Sequence, residues 1–446
     1  MTNRYFPHTP EDVREMLGVI GVGDIEDLFA SIPAESRLES LPAVPGPLGE
    51  YELGRRLEGL AATAGGDWSV FLGAGSQEHH IPALVPALSG RSEFLTSYTP
   101  YQPEISQGTL QAVFEFQTLI ARLTGLPVAN ASLYDGATAL AEAALMARRV
   151  TGRRRLLVSS LVHPHWREVL ATYLAPDPEA EVTLLPPGPD GLTALADTGV
   201  GEAAALIIQS PNFFGAVEDV ARAAEIAHAA GALLLVGFSE PFALGVLKSP
   251  GSLGADIAFG EGQSLGLPQS FGGPGLGLLS SRQEFVRQIP GRLVGEAKDL
   301  EGKRGFVLTL ATREQHIRRS KAVSNICTNA GHSALTAAIF MAAAGGSGFR
   351  QLAQANHDLA EYLKSGLLAA GFTPLGGGKA PVTFNEFVLR APAGFSARHA
   401  ELCRRKILAG LALSPYYPAL SDAWLFGVTE TKSREDIDQL LREVKA

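Results

Sequence analysis

Six short apolar stretches constrain this chain more than any other feature. They fall at residues 156–160, 181–185, 205–209, 233–238, 256–260 and 276–280, with starts 20 to 28 residues apart. Each is too short for a stable helix and is bounded by Gly, Pro or polar residues. Helical patterns at 164–174 and 218–230 fit between the early ones. Strand and helix alternating at this spacing predict a parallel sheet with right-handed crossovers. Because the strands are apolar on both sides, both sheet faces should be covered. Ligands of such a sheet bind beyond the carboxyl ends of its strands. The positions to watch are therefore 160–163, 209–212, 237–240 and 261–263.

Composition narrows the class further. A chain of 446 residues, 46% hydrophobic and 19% charged, can bury a large core and needs two or three domains. A net charge of −9 without a long basic stretch argues against a nucleic-acid partner or an anionic membrane surface. Two cysteines, Cys327 and Cys403, make no disulfide framework and fit a reducing, cytoplasmic setting. The uncharged run 322–349 has a polar start and a glycine-broken end. Its apolar part, 334–344, falls short of the ~20 residues a membrane span needs.

Outside the sheet, Thr9 should cap a helix whose first residue is Pro10, with Glu11 and Asp12 at its positive end. A short helix should follow Asp24, and 33–47 reads as an extended arm. Helices are expected at 105–124 and, capped by Asp135, at 136–150. After Ala311 come helices at 312–322, 332–345 and 347–370, a strand at 384–390, a helix at 396–409, a strand at 424–428 and a helix at 431–444. These divide the chain into N-terminal helices and arm (1–65), a large α/β domain (66–330) and a smaller α+β domain (331–446).

The helix start Gly136-Ala137-Thr138 could cradle a phosphate with its free N–H groups, but Asp135 competes for the same donors. The run Phe271-Gly272-Gly273-Pro274-Gly275-Leu276-Gly277 precedes a strand, not the helix a dinucleotide loop requires. His79 and His80 are adjacent and so point apart, which is no metal site. His163 and His165 flank Pro164 at a strand-to-helix turn, where surface histidines are commonplace. No lysine follows directly on a core strand, so an anchor for a Schiff base is missing from the place where one would be useful.

Several blocks carry a family resemblance. They are Phe71-Leu72-Gly73-Ala74-Gly75, Tyr98-Thr99-Pro100-Tyr101-Gln102-Pro103-Glu104-Ile105-Ser106-Gln107-Gly108, the segment from Ala129 to Ala139, Gly260-Glu261-Gly262-Gln263-Ser264-Leu265-Gly266, and Arg313-Glu314-Gln315-His316-Ile317-Arg318-Arg319 leading to Ser324-Asn325. Together they resemble the glycine cleavage system P-protein, glycine dehydrogenase (decarboxylating), and specifically its amino-terminal half or separate alpha subunit. The resemblance implies the aspartate-aminotransferase-like fold, type I of the pyridoxal-phosphate-dependent transferases, with a parallel-rich sheet.

The resemblance also implies a function. Glycine loses carbon dioxide at pyridoxal phosphate (PLP) held covalently by a partner beta subunit in an α2β2 assembly, and the aminomethyl group passes to the lipoyl arm of the H-protein. The family's anchoring lysine falls here on Gln263, the pyridine-nitrogen carboxylate on Glu240 and the ring-stacking residue on His163. With Asp135 these make a degenerate copy of a cofactor pocket, so no cofactor is expected on this chain. Tyr98, Thr99, Tyr101 and Gln102, with Ser324 and Asn325, are the candidates to complete the partner's site. The segment Gln77-Glu78-His79-His80 departs from the family pattern. Two alternatives stand beside this reading. One is a self-sufficient PLP-dependent lyase or transferase using Lys248 or Lys321, and the other is a purely architectural subunit.

Overall fold

The computed structural model describes residues 5, 7–38, 43–64, 66–195, 199–323, 326, 328–378 and 380–445. The chain divides into two compact units, 1–66 and 67–446.

In the first unit Thr9 and Asp12 form a reciprocal cap on the helix Pro10–Ile20, which ends at Gly21 in the left-handed conformation. Asp24 caps a 3-10 turn, Ile25–Phe29. The segment expected to be extended holds a further 3-10 turn, Ala34–Ser36. A helix that the residue pattern did not announce, Glu50–Ala62, completes the unit.

The second unit is built on a seven-stranded sheet. In chain order its strands are β1 (Val128–Ala129), β2 (Arg155–Ser159), β3 (Glu181–Leu185), β4 (Ala203–Gln209), β5 (Leu233–Phe238), β6 (Ile257–Glu261) and β7 (Gly277–Ser281). Their spatial order is β1-β7-β6-β5-β4-β2-β3. Strands β2 to β6 are mutually parallel, whereas β7 runs antiparallel to β6, and β1 to β7. The wholly parallel expectation fails at β7 for a simple reason. The β6–β7 connection holds turns and no helix, so the chain cannot cross over and must return antiparallel.

Burial follows position in the sheet. Strand β4 is buried along its whole length, while the edge strand β3 leaves Val182 and Leu184 about half exposed. One face is covered by the helices Gly136–Thr151 and Pro164–Leu174, the other by Val220–Ala229. The helix Gln107–Thr124 and the first part of the long helix Gly331–Ala369 pack with Phe238, Phe242 and Leu278. That long helix joins the two helices read at 332–345 and 347–370, with non-helical backbone at Gly345.

A carboxyl-terminal sheet is formed by Glu386–Arg390, Ala423–Gly427 and Leu411–Ala412, in that spatial order. The helix expected at 396–409 ends earlier, as Phe395–Arg404. Ile407–Leu408 then pairs in parallel with Ser69–Val70. The helix expected at 312–322 is broken into a 3-10 turn Ala311–Arg313, the short helix Gln315–Arg318 and a second 3-10 turn Arg319–Lys321. Leu310, just before it, and Arg319, at the junction of its last two pieces, take positive φ. An unforeseen hairpin, Leu293–Lys298 with Arg304–Thr309, precedes it. Asp299 closes its turn by accepting from the N–H groups of Glu301 and Lys303.

Candidate functional site

The parallel strands deliver His163, Glu240 and Gln263 to one crevice, Asp135 joins them at the start of the helix Gly136–Thr151, and the chain itself fills that crevice. After pairing with Ile407–Leu408, the segment 71–80 runs across the strand ends. Glu386 draws it down, accepting hydrogen bonds from the N–H groups of Ala74 (2.6 Å) and Gly75 (3.1 Å). Burial pushes the Glu386 carboxyl up to about 7, although these N–H groups favour its charged form. The backbone at Gly75 lies so close to the crevice floor that a Cβ there would stand 3.1 Å from Ser239 Cβ and 3.3 Å from His163 Cδ2. With φ at +78°, only glycine is at ease in this position.

His163 packs against its own chain. Its Nε2 donates to Ala74 O at 3.0 Å, and its ring stacks on Trp166 and meets Phe213 edge-on. Burial lowers it to about 4, so it is neutral. His165, read as its possible companion, is exposed.

Further along the same segment Gln77 and His79 point inward while Glu78 and His80 point out, the alternation of extended chain. His79 sits between two carboxylates. Its Nε2 lies 3.0 Å from Glu240 and its Nδ1 lies 2.9 Å from Glu430. Burial opposes its charge, but the two carboxylates outweigh burial and raise the imidazole to about 10. Glu430 is in turn held at about 2, against its own burial, by His79, the His80 N–H and Asn356. Glu240 also accepts from Ser264 Oγ (2.8 Å) and the Phe242 N–H (2.9 Å). The carboxylate after β5 is therefore fully engaged by a side chain of its own chain.

The helix N-terminus beside it is engaged as well. Asp135 caps Gly136–Thr151 by accepting from Thr138 N at 2.8 Å. Glu261, at the end of β6, accepts from Gly136 N (2.8 Å) and from the N–H groups of Gly262, Gln263 and Leu276. Burial raises this carboxyl to about 7, against the pull of those N–H bonds. Gln263 Nε2 donates to Leu267 O at 2.7 Å. Lys248 and Lys321 are both exposed, on turns that do not lead from a sheet strand.

The second group of candidates forms a separate feature. Tyr98 and Tyr101 are 76% and 56% exposed, Gln102 is exposed, and Thr99 is half-buried. Tyr98 Oη is 3.2 Å from Thr328 Oγ1. Behind the loop lies a cavity of about 190 Å³ whose walls include Tyr98, Thr99, Arg292, Thr328 and Asn329. Arg292 Nη2 donates to Tyr101 Oη at 2.7 Å, and its guanidinium lies 5.1 Å from the Tyr101 ring centroid. Arg313 donates to the carbonyls of Ile289, Gly291 and Leu310 and so fixes the backbone that carries Arg292. Ser324, Asn325 and Cys327 lie outside the described residues. Cys403 is a free thiol.

The sequence pattern marked Glu261 only as part of a strand end, and it did not single out His79, Arg292, Glu386 or Glu430 as members of these groups. His79 stood in the one segment that departed from the family pattern, which was a usable signal. Glu386 and Glu430 come from the carboxyl-terminal sheet region and meet the 71–80 segment only through the tertiary fold.

A seven-stranded, parallel-rich sheet with its crevice at the carboxyl ends of the strands and an added carboxyl-terminal sheet defines the type I fold of pyridoxal-phosphate-dependent enzymes. The same architecture appears in a glutamate decarboxylase of Lactobacillus brevis (TM-score 0.65, 15% identity, covering 94% of this chain and 97% of that one), a likeness of fold alone. The chain belongs to the glycine cleavage system P-protein family, whose sequence model matches residues 3–444. It is 50% identical over 446 residues to a probable glycine dehydrogenase (decarboxylating) subunit 1 of Desulfotalea psychrophila, covering 99% of this chain and 98% of that relative. It is equally 50% identical to the protein of the same description from Geotalea uraniireducens, covering 99% of each. A crystal structure of glycine decarboxylase (P-protein) of the glycine cleavage system, in inhibitor-bound form, superposes with a TM-score of 0.89 at 47% identity over 99% of both chains.

Proposed function

We propose that this chain is the subunit of a glycine-decarboxylating enzyme that completes an active site on a partner and holds no cofactor itself. One observation carries the reading: its own crevice is closed by its own side chains. PLP needs an amine, a phosphate cradle and a carboxylate for the ring nitrogen. Here Gln263 offers no amine, Glu261 occupies the N–H of Gly136, and His79 occupies Glu240. The backbone at Gly75 crowds His163, a Cβ there standing 3.3 Å from its Cδ2. The residues present do not fit the group.

The partner is a beta subunit carrying PLP covalently, in an α2β2 complex that hands the aminomethyl group to the lipoyl arm of H-protein. PLP there supplies the electron withdrawal that lets carbon dioxide leave glycine. This chain offers Tyr98, Thr99, Tyr101 and Gln102 on an exposed, proline-braced loop, with Ser324 and Asn325 as further contributors. We read its organisation as 1–65, 66–330 and 331–446, and its location as cytoplasmic. Among the described residues no helix is long and apolar enough to cross a membrane.

The test is glycine–bicarbonate exchange. The chain alone should show none, and adding the beta subunit should restore it. Exchange by the isolated chain would overturn the proposal.

A further inference from the structure

Arg292 is 5% exposed, and among the described residues its side-chain contacts are to Thr99 and Tyr101, with no ion pair to a carboxylate. A guanidinium has five N–H donors. Two contacts are made, to Tyr101 Oη at 2.7 Å and to Thr99 Oγ1 at 3.4 Å, and Nε is buried with no partner. A buried cation without a counter-ion is costly, and a fork of this shape matches a carboxylate in two-point contact. The cavity of about 190 Å³ beside it has no acidic residue in its wall. Val113, Val294, Leu308 and Leu335 give it an apolar part as well.

We propose that this cavity is a carboxylate-binding site and that Arg292 receives the carboxylate of the amino-acid substrate. The inference rests on the glycine-decarboxylase reading and names the residue of this chain that touches the substrate. Tyr101 and Thr99 hold the guanidinium in place, and Arg313 fixes its backbone. The apolar wall suits the small neutral molecule that the carboxylate becomes.

The experiment uses the complex reconstituted with the cofactor-bearing partner. Saturation-transfer NMR with acetate as probe, and methylamine as the carboxylate-free control, reads binding directly. Acetate should give a signal that falls at least fivefold in Arg292→Gln and survives in Arg292→Lys, with methylamine unchanged throughout. The KM for glycine should rise at least tenfold in Arg292→Gln. An acetate signal and KM within twofold of wild type in an assembled Arg292→Gln complex would overturn the proposal. Should that variant fail to assemble, crystals of the wild-type complex soaked in bromide decide. An anomalous peak against Arg292, displaced by acetate, supports the site. A partner carboxylate seated there instead overturns it. A wild-type complex inactive on glycine would refute the enzymatic reading, while acetate binding would still report on the site.

Discussion

Replacing His79 by Ala tests the filled crevice at its most charged point. The side chains of His79, Glu240 and Glu430 are only 3%, 5% and 12% exposed. Removing the imidazolium leaves two carboxylates in a dry interior with no cation between them. Raising a histidine from 6.5 to about 10 corresponds to roughly 5 kcal/mol at ~1.36 kcal/mol per pKa unit. Breaking a buried ion pair costs about 3–5 kcal/mol, so both routes give a similar figure. The pH dependence has a fixed sign. The raised histidine contributes fully below its unfolded value of 6.5, and the contribution is lost as pH rises through about 10. The lowered Glu430 contributes fully above 4.5, and this is lost as pH falls through about 2. The gap between wild type and variant should therefore be widest between pH 4.5 and 6.5 and narrow steadily towards pH 10. Urea unfolding followed by far-UV circular dichroism at pH 6, 7.5 and 9 reads it. A loss under about 1 kcal/mol at pH 6, or a gap that grows with pH, would refute the reasoning.

Four further outcomes are expected. Gln263→Lys should not create a PLP-binding chain, because Glu261 and His79 still occupy the groups the cofactor needs; absorbance and borohydride trapping check this. Gly136→Ala places a Cβ 2.4 Å from Trp166 Cζ2 and should destabilise by at least about 1–3 kcal/mol, read by thermal unfolding. Glu261→Gln should cost about 1–3 kcal/mol, since the amide that replaces one oxygen cannot accept from a backbone N–H, and the same unfolding assay tests it. Tyr101→Phe removes a 2.7 Å bond to Arg292 and should lower kcat/KM about tenfold in the assembled complex with assembly unchanged by sedimentation.

Much of the architecture could be read from the residues. Apolar runs at regular spacing gave six of the seven strands of the main sheet, and Asp135 was legible as a helix cap from its neighbours alone. What escaped notice depended on distant partners. Ile407–Leu408 looks like the tail of a helix until Ser69–Val70 pairs with it. Strand β7 reads like any other apolar run, and its direction is set by the missing helix before it. The site divides in the same way. The absence of a lysine directly after a core strand is a local fact and was visible. The clamp on His79 joins residues 161 and 351 positions apart, so no spacing rule could bring it forward. Arg292 lies in a segment with no motif of its own, and only its burial without a carboxylate marks it.

The most direct test of the account is borohydride reduction of the assembled complex loaded with PLP, followed by the intact mass of each subunit. The account predicts one reduced adduct on the partner and an unmodified mass for this chain. A stoichiometric adduct on a single lysine of this chain would contradict it.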